Sequence, residues 1–275
     1  MKFLFILFLF LTCCSQLIHV KTNSGTIGRE DRKIEKYLLK TISKALTTPT
    51  KQLISQLHHT TCKLTLPPTR SKKMKASEVY KNYKESVVII CGRYLCDNCD
   101  RWHISTSSGF ILSKSGACVT SYHVIADLGI ESFIVMTANK KCYDISRVLA
   151  ADKDNDFAIV QLKGKNFPTP IPLGKPVIGN NIYVISHPQS RYYSMTSGIV
   201  SRFFTPEKRK TQTPYVTITA DYATGSSGGP VFDEYGNVIG IVSYTQSAYT
   251  GKNDLQMVFK NITNAVAIRR VIFNE

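Results

Sequence analysis

An all-β protein built from two six-stranded barrels is the fold class that the sequence predicts. From Ser77 onward, short runs rich in β-branched and aromatic residues alternate with turn residues, near 87–94, 107–113, 117–122, 132–138, 143–152 and 157–162. A proline-rich connection, 163–176, with Pro168, Pro170, Pro172 and Pro176, then breaks the rhythm. Six more runs follow, near 180–188, 194–204, 215–221, 229–233, 238–245 and 256–260. Many short strands at such spacing indicate a sandwich or barrel, and six, a break and six again indicate two barrels side by side. They are expected at about 77–165 and about 175–261, within a domain 77–275, and residues 262–272 (ITNAVAIRRVI) are expected to close the chain as a short helix.

The chain begins with the pattern of an export signal over residues 1–20. Lys2 is followed by nine apolar residues, Phe3 to Leu11, and then by the small residues Thr12, Cys13, Cys14 and Ser15. The run is too short to span a bilayer as a helix, and no transmembrane segment is expected once it is removed. The expected location is secreted or periplasmic, with lipid attachment ranked lower because the residues before Cys13 and Cys14 fit a lipobox poorly. Residues 21–76 are expected to form a basic helical extension and linker, or a propeptide. Within it, 29–46 carries Ile34, Tyr37, Leu38, Ile42, Ala45 and Leu46 on one stripe, the period of an amphipathic helix that packs on a neighbouring domain. Residues 50–75, with Pro67-Pro68 and the run Arg70, Lys72, Lys73, Lys75, read as a solvated linker.

The 275 residues carry a net charge of +16. Residues 21–85 hold 15 Lys/Arg against five Asp/Glu, ten of those sixteen charges. An imbalance of this kind favours anionic surfaces as partners of the N-terminal region. No zinc-finger, RNA-recognition or helix-turn-helix pattern accompanies it, so specific nucleic-acid binding is not expected. Six cysteines follow the signal, at 62, 91, 96, 99, 118 and 142. In an exported chain they permit disulfides whose connectivity the sequence leaves open.

Thr224-Gly225-Ser226-Ser227-Gly228-Gly229-Pro230 is a serine pair among three glycines. Such a turn exposes a serine hydroxyl together with adjacent backbone N–H groups, the requirements for a nucleophile beside an oxyanion hole. A base and its orienting acid are then needed. His123 follows the hairpin-like segment 109–120, a rigid and reachable mount. Asp156 lies 33 residues further on, directly ahead of the apolar run Phe157-Ala158-Ile159-Val160, where it is shielded from water. Asp152 and Asp154 are expected to shape that turn. A calcium loop starting at Asp152 would require glycine at Phe157 and glutamate at Lys163, and has neither. No cofactor and no metal are expected.

The order His123, Asp156, Ser227, with SSGFILSKSGACVTSYHVI, DKDNDFAIVQL and GSSGGPVFDEYGNVIGIVSY around the three residues, resembles the trypsin-like serine proteases, above all their HtrA/Deg branch, over about residues 77–272. The resemblance implies two antiparallel chymotrypsin-like barrels with the site in the cleft between them. It implies a serine endopeptidase acting on proteins or peptides, with Ser227 as nucleophile, His123 as base and Asp156 orienting it. Backbone N–H groups of Gly225 and Ser227 would form the oxyanion hole. Two departures stand out. Ser226 occupies the place of the aspartate that pairs with a new N-terminus in digestive proteases, and the PDZ domain usual in HtrA relatives is not expected.

For specificity, Ile241-Val242-Ser243-Tyr244 is expected to line the cleft, Val242, Ser243 and Tyr244 pairing with substrate backbone. Asp221 and Tyr222 lie six and five residues before Ser227, where the P1 pocket is built. If Asp221 points into the pocket, Lys or Arg is preferred; if it caps a loop, Tyr222 leaves an apolar or restricted pocket. Cys91-x4-Cys96-x2-Cys99-x3-His103 admits a disulfide clip in a hairpin loop, the expectation here, or a zinc site. Asn261-Ile262-Thr263 is a glycosylation sequon in a eukaryotic secretory setting. The alternative to an enzyme is a protease-like binding protein that holds anionic surfaces through its basic extension.

Overall fold

The computed structural model describes residues 27–251 and 254–273, so the expected export signal lies outside the described residues. Two closed six-stranded antiparallel barrels form, as the strand count predicts. The extension supplies α1 (Arg29–Ile42), α2 (Thr50–Ile54), the two-residue β1 (Cys62–Lys63) and α3 (Ala76–Tyr83). Barrel 1 comprises β2 (Val87–Leu95), β3 (Trp102–Ile111), β4 (Ala117–Thr120), the one-turn helix α4 (Tyr122–Ile125), β5 (Ser132–Met136), β6 (Cys142–Asp152) and β7 (Phe157–Lys163). Barrel 2 comprises β8 (Asn181–Ser186), β9 (Ser194–Phe204), β10 (Tyr215–Ile218), β11 (Pro230–Asp233), β12 (Val238–Thr250) and β13 (Asp254–Asn264). Helix α5 (Ala265–Arg270) and β14 (Ile272–Phe273) follow. The strand orders are β2-β3-β4-β7-β6-β5 and β10-β13-β12-β11-β8-β9. Among the described residues, no helix is long and apolar enough to cross a membrane.

Each barrel has its own core, Ile90, Ile111, Val135 and Val160 in the first and Val184, Val216, Val231 and Ile262 in the second. A third apolar cluster joins them: Phe110, Leu112 and Phe157 from barrel 1 pack with Ile185, Phe232 and Ile241 from barrel 2. Burying side chains of this size contributes about 1.5–3 kcal/mol each. The barrels are therefore held against each other by a shared core.

Two boundaries differ from the sequence reading. The closing helix begins at Ala265, because Ile262 and Thr263 are fully buried in β13 and pair with Val242 and Ile241. Helix α1 ends at Ile42, so Leu46, expected on its buried stripe, is exposed, whereas Leu38 and Ile42 are buried against Ile89, Cys91, Ile134 and Met136.

Residues 50–75 are not a solvated linker. Helix α2 buries Leu53 in the barrel 1 core. Strand β1 pairs in parallel with β14, Cys62 opposite Ile272. Arg70 N–H donates to Asn237 Oδ1 (2.7 Å) and Met74 N–H to Glu234 O (2.8 Å), both in barrel 2. Lys73 pairs with Glu234 at 3.3 Å. The extension thus runs from barrel 1 to barrel 2 along hydrogen bonds and buried side chains.

Candidate active site

Asp156 sits in the turn before β7 with φ of 55°, a left-handed conformation that aspartate tolerates better than most residues. Its side chain is 7% exposed, but the charge is fully engaged. The carboxylate accepts the His123 backbone N–H (3.2 Å), His123 Nδ1–H at 2.9 and 3.0 Å through its two oxygens, and the Ser243 hydroxyl. A carboxylate accepts only, so the imidazole proton lies on Nδ1 and Nε2 keeps its lone pair. His123 occupies α4, immediately after β4, and half of its side chain is exposed. A buried carboxylate thus holds a half-exposed imidazole in one tautomer.

The serine loop is built by opposite means. Gly225 and Gly228 have φ of +94° and +80°. A Cβ at Gly225 would meet His187 O at 2.5 Å, and one at Gly228 would meet Ser108 O at 2.4 Å, so only glycine lets this loop lie against the neighbouring backbone. Ser226 N–H donates to Ala223 O and Gly229 N–H to Ser226 O. Ser226 is fully buried, its hydroxyl bonded to that of Ser186 at 2.9 Å, the loop-shaping role expected of it. Between and beside these closed bonds, the N–H groups of Gly225 and Ser227 have no protein acceptor among the described residues.

Serine 108, which sequence reading did not single out, orients that pair. Its N–H donates to Ser227 O and its hydroxyl to Gly225 O, each at 2.9 Å, so both carbonyls turn toward barrel 1. Ser121, two residues before His123, donates to Val242 O at 3.1 Å, and Gly228 N–H donates to the same oxygen at 2.8 Å. Val242 therefore ties the base and the serine loop to one atom. Ser227 and His123 are not hydrogen-bonded to each other among the described residues; a bond of this kind commonly tightens only around bound substrate.

The expected specificity residues are partly reassigned. Val242 is buried in the barrel 2 core, and both its N–H and its carbonyl are taken within the protein, so it presents no free edge. Ser243 is passed over in the β12–β13 register and turns inward to Asp156. Tyr244 O accepts the Tyr222 hydroxyl at 2.9 Å, and the same hydroxyl lies 3.0 Å from Asn261 O. Asp221 lies at the surface: its side chain is 82% exposed and ion-paired with Lys260. Asp152 shapes its turn by accepting from Asn155 N–H and Nδ2. Asn261 of the sequon is buried in β13, with Oδ1 accepting from Thr217, and is inaccessible to glycosylation in the folded chain.

Beside Gly225 lies a cavity of ≈ 680 Å³, walled by Gln189 and Thr224 on one side and by Leu95, Cys96 and Thr106 on the other. No disulfide forms among the described residues: Cys62, Cys91, Cys96, Cys99, Cys118 and Cys142 are all free. Cys91 does not clip the β2–β3 loop as expected: it pairs with Thr106 well down β2 from the tip that carries Cys96 and Cys99, and packs under α1. Burial raises the thiols of Cys62 and Cys142 to about 11 and that of Cys118 to about 12. Cys99 goes the other way, held at about 6 first by its hydrogen bond to His103 and then by Arg101.

Residues 107–241 match the family described as trypsin-like peptidase domain. Protease Do-like 5, chloroplastic, of Arabidopsis thaliana is 30% identical over 156 residues, covering 51% of this chain and 48% of its own length. A probable periplasmic serine endoprotease, DegP-like, of Pseudomonas putida is 33% identical over 142 residues, 50% of this chain and 29% of that protein. The chain thus spans half or less of these relatives' lengths. In fold it resembles the HtrA-type protease AlgW with tripeptide (TM-score 0.56, 20% identity, 71% of this chain and 62% of that one). It also resembles the serine endoprotease from Yersinia pestis (TM-score 0.54, 22% identity, 73% and 66%). The matched segment contains all three of His123, Asp156 and Ser227, and over it the chain is similar to the trypsin-like peptidase domain and to the Do-like and DegP-like proteases.

Proposed function

We propose that the protein is a serine endopeptidase. Ser227 Oγ attacks the scissile carbonyl carbon while His123 Nε2 takes the hydroxyl proton. The oxygen that becomes negative is received by the N–H groups of Gly225 and Ser227. His123 then delivers the proton to the leaving amine, the C–N bond breaks, and an acyl ester on Ser227 remains. Water, deprotonated by His123, hydrolyses the ester and restores the serine. Asp156 keeps Nε2 free and stabilises the imidazolium without taking the proton. The observation that carries this reading is the pair of uncommitted N–H groups flanking a buried Ser226, set in a loop tied through Val242 O to the element bearing His123.

Protein or peptide substrates are supported by the peptide-bound AlgW structure of the same fold. The surface position of Asp221 and the buried hydroxyl of Tyr222 favour a shallow apolar P1 site over one for Lys or Arg. The basic extension is proposed to add a contact with anionic surfaces, and export is proposed from residues 1–20. Gel-based proteolysis tests the activity. The full chain is expected to degrade an unfolded protein substrate and Ser227→Ala to leave it intact; equal activity of both would overturn the proposal.

A further inference from the structure

Strands β2 and β3 run on past the barrel into a hairpin whose last cross-strand pair is Leu95 with Trp102. Both are substantially exposed, so the six-residue tip beyond them has little apolar packing. The tip is nevertheless tightly folded. Cys96 N–H donates to Arg101 O at 3.0 Å, and Cys96 O accepts from Asp100 N–H at 3.0 Å and from Cys99 N–H at 3.4 Å. This turn brings two thiols to one side, and His103, the second residue of β3, reaches back to them. Its Nε2 lies 3.1 Å from Cys99 Sγ, and its ring is steadied by stacking on Tyr94, its cross-strand partner, at 5.8 Å between centroids. The ligand atoms of Cys96, Cys99 and His103 all lie within 4.8 Å of one another.

We propose that Cys96, Cys99 and His103 bind a zinc ion that braces the hairpin tip. Zinc bonds of about 2.3 Å to sulfur and about 2.0 Å to imidazole nitrogen place neighbouring ligand atoms of a tetrahedron roughly 3.5–3.8 Å apart, close to the gathering seen here. Two thiolates and an imidazole are a soft donor set that suits zinc and disfavours calcium or magnesium. Convergence of the imidazole distinguishes the site from a simple Cys96–Cys99 disulfide, which has no use for a third donor. Cys91, the fourth candidate in the sequence, stands apart: it pairs with Thr106 on the barrel side of the Leu95–Trp102 pair and does not gather with the other three. Three protein ligands leave one tetrahedral position for water or an incoming group. Cys96 also lines the ≈ 680 Å³ cavity that opens on Gly225, so the ion would fix the wall facing the oxyanion donors. That consequence for the cleft rests on the peptidase reading; the metal site does not.

The test is metal content, read independently of proteolysis. The full chain, purified under reducing conditions, loaded with zinc and passed through a desalting column, is expected to hold one zinc per chain. Cys99→Ser and His103→Ala are each expected to lose at least nine-tenths of it, with unchanged circular dichroism, and Cys62→Ser to retain it. Cobalt in place of zinc is expected to give a thiolate charge-transfer band that falls by about half or more in Cys99→Ser. Amide exchange over residues 96–101 is expected to slow at least tenfold on zinc loading. A reduced wild-type chain without zinc, full retention in His103→Ala, or binding with no change in exchange would each overturn the proposal. So would a chain that, as isolated, is two mass units lighter from a Cys96–Cys99 disulfide and after reduction still takes up no zinc.

Discussion

The two halves of the site handle their polar groups in opposite ways. On barrel 1, Asp156 is buried and saturated by three donors, the His123 N–H, the His123 Nδ1–H shared between both oxygens, and the Ser243 hydroxyl. On barrel 2, the loop around Ser227 is held just as firmly, yet two of its N–H donors have no acceptor among the described residues. Saturation fixes the orientation of one side chain. On the proposed mechanism, leaving donors open keeps them available for a charge that exists only during reaction, at no cost of breaking prior bonds. The halves meet through serine hydroxyls: Ser108 aims the loop carbonyls away, Ser121 shares Val242 O with the loop, and Ser243 links β12 to Asp156. Placement of Ser227 thus depends on polar contacts between the barrels, over an apolar core that they share.

That contrast is broken most severely by removing what each half presents. Ser227→Ala and His123→Ala are each expected to lower kcat by about 10⁴-fold or more, with KM little changed. Asp156→Asn is expected to cost about 10⁴-fold as well, by letting the imidazole proton sit on the wrong nitrogen. Steady-state cleavage of a fluorogenic peptide measures all three. Gly225→Ala probes the open half: its Cβ would meet His187 O at 2.5 Å, displacing one donor. A loss on the order of 10²–10³ in kcat is expected, as for other oxyanion-hole deletions. Ser243→Ala removes one bond to the buried carboxylate and is expected to cost roughly tenfold, recoverable in Ser243→Thr, if that bond holds Asp156 in register.

A smaller effect concerns His187, packed behind the serine loop, where burial lowers its pKa to about 3. Its Nδ1 accepts from Tyr193 N–H at 3.0 Å, which suits the neutral ring. The unfolded chain therefore binds a proton here between pH 6.5 and about 3 that the folded chain does not. Stability that is full above the unfolded pKa of 6.5 is lost as the pH falls through that window. Urea denaturation is expected to show a decline from pH 7 to pH 4.5 that is shallower in His187→Asn, which keeps the acceptor without the titration.

The residues legible in the sequence are those whose neighbours along the chain declare them. His123 at a strand end, Asp156 before an apolar run and Ser227 among glycines are local patterns, and strand periodicity separated the two barrels. Strand β1 was illegible because two residues become a strand only where β14 lies beside them. The inward turn of Ser243 follows from a register shift between Val242 and Tyr244 that alternation does not reveal. Serines are common on strands, so nothing marks Ser108 or Ser121 until the barrels are assembled. The cysteine spacing favours a clip over a metal site; that the fold leaves Cys91 down β2 beside Thr106 and gathers Cys96 and Cys99 with His103 is not visible in spacing alone.

The central claim is that one serine, made nucleophilic across the cleft, carries the chemistry. Treating the folded full chain with a fluorophosphonate probe and mapping the adduct by mass spectrometry tests it most directly. The account predicts stoichiometric phosphonylation of Ser227 and of no other residue, lost in Ser227→Ala and at least 10³-fold slower in His123→Ala. A folded chain that stays unlabelled, or that is labelled equally on Ser226 or without His123, would contradict it.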